Sequence, residues 1–111
     1  MRSYLLDEML PEQVQLLSDR LQATAGPSPM QGIIWCELPW ELLTAKQQEH
    51  RSSCGPFILS LELGSTWIKL ELLVRARQTF RCDCIGLATP EQREHGITLI
   101  ETAIHDLGLM V

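Results

Sequence analysis

Two cysteines separated by one residue, Cys82-Asp83-Cys84, are the most suggestive chemical pair in this chain. His50 and Cys54, four positions apart, are a second. Thiolate sulfur and imidazole nitrogen suit soft or borderline metals, so Cys54, Cys82, Cys84 and His50 would make a Cys3His zinc set. The spacing argues the other way. Zinc frameworks usually carry Cys-x2-Cys or His-x3-His steps, and neither occurs here. Free cysteine is also among the most buried residue types, and the strand pattern below places Cys82 and Cys84 on an apolar face. That makes them core residues. Cys54 precedes Gly55-Pro56 in a loop, where a thiolate would be reactive only if exposed and electrostatically favoured.

Other chemistry is thinly represented. His95 and His105 are ten residues apart, off the apolar stripe of the last helix, and read as surface residues. No serine, histidine and acid fall into a nucleophile motif, and Gly55 and Gly64 are isolated, so no phosphate-cradling loop is predicted. Arg75, Arg77 and Arg81, with Lys69, form a small basic cluster whose simplest role is to charge a sheet edge, with Arg75 facing Asp83 across strands.

The totals narrow the classes further. The 111 residues are 45% hydrophobic and 21% charged, which predicts a single globular domain over 1–111, of α+β class by the element pattern below, rather than a disordered chain. A net charge of −5 opposes the basic footprint that nucleic acid or an anionic membrane surface requires, so neither is expected as a partner. No apolar run approaches the ~18 residues of a membrane span. Asp7 and Glu8 follow a short N-terminal stretch with no secretory pattern. A cytoplasmic protein is the default expectation, with thiols rather than disulfides.

Val14, Leu17 and Leu21 recur at helical steps, Pro11 suits a first turn and Gly26 a stop, which predicts a helix from Asp7 or Pro11 to Ala25. Two prolines make residues 26–30 linker-like. Residues 31–38 read as a strand with Ile34, Cys36 and Leu38 on one face, and Ile33 and Trp35 on the other. A short helix opened by Pro39 is predicted from Trp40 to about His50. Residues 57–87 then read as three strands in a meander. A two-residue turn at Gly64-Ser65 would pair Leu61 with Ile68 and Leu59 with Leu70. A turn centred on Thr79 would pair Val74 with Cys84, Ala76 with Cys82 and Leu73 with Ile85. Thr89-Pro90-Glu91-Gln92 predicts a capped last helix ending at Gly108.

The expected order is α-β-α-β-β-β-α: a three- to four-stranded antiparallel sheet packed by N- and C-terminal helices. Its outer face carries Ile33, Trp35, Ile58, Trp67, Leu73, Ile85 and Leu87, too apolar to be left in water unless a helix or another chain covers it. With no catalytic constellation, the leading expectation is a non-enzymatic interaction or adaptor domain. It would be homodimeric through this face, with Trp35, Trp67, Leu73 and Ile85 at the contact. The alternative is a small thiol-redox or zinc-binding protein built on Cys82, Cys84, Cys54 and His50. No cofactor is expected for the first reading; the zinc-binding form of the second would hold zinc.

Overall fold

A computed structural model describes residues 2–25 and 30–111. Most of the 26–30 segment lies outside the described residues. The elements are β1 (Ser3–Leu6), α1 (Pro11–Ala25), β2 (Ile33–Glu37), α2 (Ala45–Glu49), β3 (Phe57–Leu63), β4 (Ile68–Glu71), β5 (Leu73–Ala76), β6 (Gly86–Leu87) and α3 (Pro90–Leu107), with one 3-10 turn at Trp40–Leu42. This is the α+β class, with helices and an antiparallel sheet. The sheet has six strands, not the expected three or four.

β3 is the centre of the sheet. β2 runs antiparallel along one edge, from Ile33 opposite Glu62 to Glu37 opposite Ile58. Along the other edge lie β4, with Leu61 opposite Leu70, and β5, with Phe57 opposite Ala76. β1 flanks β4 and β6 flanks β5. Between β4 and β5 the chain bulges: only Leu59 and Ser60 face residues 71–74. Leu72 turns its backbone outward there, donating its N–H to the Arg2 carbonyl at 3.0 Å and accepting from the Ala88 N–H at 3.0 Å. An even number of extra residues leaves the two faces of the ladder unchanged.

Both hairpin registers differ from expectation by two residues. Leu63 pairs with Ile68, so the first turn spans Gly64 to Trp67, closed by the Gly64 N–H on the Trp67 carbonyl. Val74 pairs with Gly86 instead of Cys84, and Leu73 with Leu87 instead of Ile85. Residues 77–85 are therefore a loop and not paired strand. β1 was not anticipated, and the helix expected over 40–50 is broken. Thr44 caps α2 by accepting from the Gln47 N–H at 3.2 Å.

The core lies on one face of the sheet. Ile34, Leu59, Leu61, Ile68 and Leu70 are buried there with Leu17 and Leu21 of α1 and Ile100 of α3. α3 approaches so closely that a Cβ on Gly96 would stand 2.8 Å from both Leu59 and Leu70. As the sequence predicts, Thr89 and Gln92 form a capping box and Gly108 ends α3 in the left-handed conformation (φ 67°). The opposite face carries ion pairs between Glu62 and Lys69 and between Glu71 and Arg75. No described helix is long and apolar enough to cross a membrane.

Candidate metal centre

The helical winding of α2 continues past its last residue. The Cys54 N–H donates to the His50 carbonyl at 2.7 Å, which puts the two side chains one turn apart on the same side. The 77–85 loop is then laid against this turn. The β3–β5 ladder is extended by the Arg77 N–H on the Pro56 carbonyl and the Gln78 N–H on the Cys54 carbonyl, both at 3.0 Å. Gln78 Nε2 also donates to the Gly55 carbonyl at 2.5 Å. A tight turn follows, closed by the Ile85 N–H on the Cys82 carbonyl at 3.0 Å.

That turn corrects the expected placement of both cysteines. Cys82 and Cys84 do not sit on a strand opposite Ala76 and Val74; they project from the loop toward His50 and Cys54. Asp83, expected opposite Arg75, pairs with Lys46 of α2 at 2.6 Å. Arg75 takes both carboxylate oxygens of Glu71, at 2.5 and 3.0 Å.

One ligand atom each from His50, Cys54, Cys82 and Cys84 lies within 4.8 Å of all the others. His50 Nδ1 is 3.1 Å from Cys82 Sγ and 3.8 Å from Cys54 Sγ. Zinc with sulfur at about 2.3 Å and nitrogen at about 2.0 Å separates tetrahedral ligands by roughly 3.5–3.8 Å. The quartet needs only small closing movements to meet that size. Cys54 and Cys84 are buried, while His50 and Cys82 are half-buried and form the solvent side. No family model, curated protein or solved structure matches this chain. The chemistry of the cluster must therefore be read from its own residues.

Its electrostatics are those of sulfurs competing for few protons. Hydrogen bonds from the backbone and thiol of Cys84, then from His50 and Cys54, lower the Cys82 thiol to about 7. Cys84 is pushed up to about 12, first by burial and then by the neighbouring sulfurs of Cys82 and Cys54. The Cys82 thiolate forms readily here, and that of Cys84 needs a cation nearby. A divalent ion would supply that charge. The remaining cysteine, Cys36 of β2, is buried away from this group in the core and pushed up to about 11 by burial.

Behind the four candidate ligands stands a pair of buried glutamines. Gln47 Nε2 donates to the Cys84 carbonyl at 3.2 Å, and its Oε1 accepts from the Thr44 N–H and from Gln92 Nε2. Gln92, fully buried at 0% exposure, also donates to the Leu42 carbonyl at 2.8 Å and accepts from the Thr89 N–H. Two helix caps are thus joined through their own side chains, and the junction holds the backbone of a ligand residue. The Thr89–Gln92 box is legible in the sequence, whereas the helix expected from Trp40 to about His50 runs through Thr44 and hides the other. The Thr44-x-x-Gln47 spacing was the signal available for the other box.

The remaining candidates lie elsewhere. Trp35 is half-buried beneath the Arg77 guanidinium, 4.5 Å from its ring centre. It lines a small hollow with Ile58, Ile85 and Phe80, the last 97% exposed. Leu73 is on β5, paired with Leu87. Trp67 is apart from them, packed over Gly64 at the other end of β3 with Lys69 5.8 Å from its ring. His105 is exposed on α3, and His95 is half-buried there, and neither belongs to the cluster of His50, Cys54, Cys82 and Cys84.

Proposed function

We propose that this is a zinc-binding protein in which one ion, held by His50, Cys54, Cys82 and Cys84, fastens the 77–85 loop to the end of α2. The observation carrying the reading is the convergence of four soft or borderline ligand atoms within 4.8 Å from two separate segments. Three sulfurs and one imidazole suit zinc over the hard cations. Four protein ligands leave no open position for water or substrate, which supports a structural role over a hydrolytic one. The test is native mass spectrometry of reduced protein with and without added zinc. One zinc per chain is expected, lost in Cys54→Ser and Cys84→Ser but kept in Cys36→Ser. Equal zinc content in all four proteins would sink the assignment.

A second reading is a protein-interaction domain, self-associating or not, that uses the outer sheet face. It is favoured by Phe80, 97% exposed beside Trp35, Ile58 and Ile85 on the loop that the metal would fasten. An exposed aromatic at the lip of an apolar hollow is the kind of group that anchors a contact. The solution mass over a wide concentration range, compared with Phe80→Asp, tests self-association. A dimer abolished by Phe80→Asp supports it, and an unchanging monomer counts against it.

A further inference from the structure

We propose that the centre is also a site of reversible oxidation, in which a hydroperoxide converts Cys82 and Cys84 to a disulfide and expels the zinc. This deepens the zinc reading and rests on it. Three features of the loop support it. Cys82 is the half-buried sulfur, whereas Cys54 and Cys84 are buried, so a small oxidant meets Cys82 first. Cys82 and Cys84 belong to one tight turn, closed by the Ile85 N–H on the Cys82 carbonyl. On a strand their Cα atoms would be roughly 7 Å apart, beyond the usual disulfide range. In the turn their sulfurs lie within 4.8 Å. Cys54, by contrast, is held through both its N–H and its carbonyl, by His50 and Gln78.

The steps balance. The Cys82 thiolate attacks one oxygen of the hydroperoxide, the O–O bond breaks, and the leaving oxygen takes a proton to depart as water or alcohol. This leaves Cys82 as a sulfenic acid. The Cys84 thiolate then attacks the Cys82 sulfur, the S–S bond forms, and hydroxide leaves and is protonated to water. Two thiolates have given two electrons to the peroxide. The ion keeps only His50 and Cys54, too few for a zinc site, and dissociates. A thiol reductant returns both ligands.

Hydrogen peroxide on the zinc-loaded full chain tests this, with metal read by native mass spectrometry and thiols by alkylation and trypsin without reductant. Trypsin leaves Cys82 and Cys84 together on residues 82–93, and Cys54 on residues 52–69. The expected result is loss of zinc from most molecules, peptide 82–93 lighter by two hydrogens, Cys54 and Cys36 alkylated, and recovery of zinc binding after reduction. Zinc retained in oxidised solution, a link from Cys54 to either loop cysteine, or sulfinic acid at Cys82 without a disulfide would each overturn the proposal while leaving the zinc reading standing. A chain that takes up no zinc at all ends both.

Discussion

Gln47 touches the backbone of the candidate centre without being one of its proposed ligands. Its amide nitrogen holds the Cys84 carbonyl, and its oxygen receives the Thr44 N–H and the Gln92 amide. Groups behind a ligand that fix its orientation commonly change metal affinity 10–100-fold when removed, by roughly the amount expected of an outer-shell partner. Gln47→Leu keeps the side-chain size and deletes all three bonds. Zinc affinity should fall by about one order of magnitude or more in a competition titration, with stability lower by about 1–3 kcal/mol from the stranded polar groups. Lys46→Ala removes only the solvent-exposed pair with Asp83 and should change either quantity little. Equal zinc affinity in Gln47→Leu and the parent would show that the Cys84 backbone needs no such support. Cys36 gives the chain a separate pH dependence. Burial raises its thiol from 9.0 to about 11. Below pH 9 it is neutral in both folded and unfolded chains, and the contribution is fully present. As pH climbs from 9 to 11 the unfolded chain ionises first and stability is lost, up to about 2–3 kcal/mol from this residue. Cys36→Val should therefore flatten the alkaline limb of the stability curve, measured by urea unfolding at several pH values. A limb as steep in the variant as in the parent would place the titration elsewhere.

At the scale of elements, α3 and the sheet are matched through Gly96. A Cβ there would stand 2.8 Å from Leu59 and Leu70, both fully buried and unable to swing away. Gly96→Ala adds about 1 kcal/mol of helix propensity but overpacks the core, which typically costs about 1–3 kcal/mol. A net lower melting temperature is expected; a rise would mean the helix shifts freely on the sheet. The same elements explain what could be read from the chain. α1 and α3 were legible because apolar periodicity, Pro11, Thr89-Pro90 and Gly108 all mark the same boundaries. The inner faces of β2, β3 and β4 were legible because alternation fixes which side chains point together. Registers were not. Leu61 against Ile68 and Leu61 against Leu70 put the same side chains on the same face, so alternation is blind to a slip of two residues. At the second hairpin that blindness hid the site. A slip of two turned the Cys82–Cys84 stretch from paired strand into loop, and only the loop reaches α2. The four ligand candidates were identifiable by type, and the His50–Cys54 step would have read as one turn had the helix been extended beyond His50. Their meeting depends on the length of the 77–85 loop, which no local pattern encodes.

For the molecule as a whole, the question is how much of the fold would depend on the proposed ion. In small zinc domains the metal replaces a core that the chain is too short to build. Here the core is already present without it: Leu17, Ile34, Phe57, Leu59, Leu61, Ile68, Leu70 and Ile100 are buried between the sheet and two long helices. The candidate centre is at the edge of this core, reached through Cys54 and Cys84. Removing zinc should thus release the loop without unfolding the chain. Chelation is expected to leave the far-ultraviolet circular dichroism nearly unchanged and to lower the melting temperature by the amount mass action sets for the zinc affinity. Hydrogen exchange should rise in residues 50–55 and 77–88, and stay slow in β3, β4 and α3. The amide of Gln78 should exchange early, since its bond to the Cys54 carbonyl joins the two ligand segments. Phe80 and Arg77 lie on the same loop, so any contact made through them should weaken together with metal loss. Exchange that rises uniformly along the chain on chelation would instead mean that the ion supports the whole fold and that the apolar core alone is insufficient.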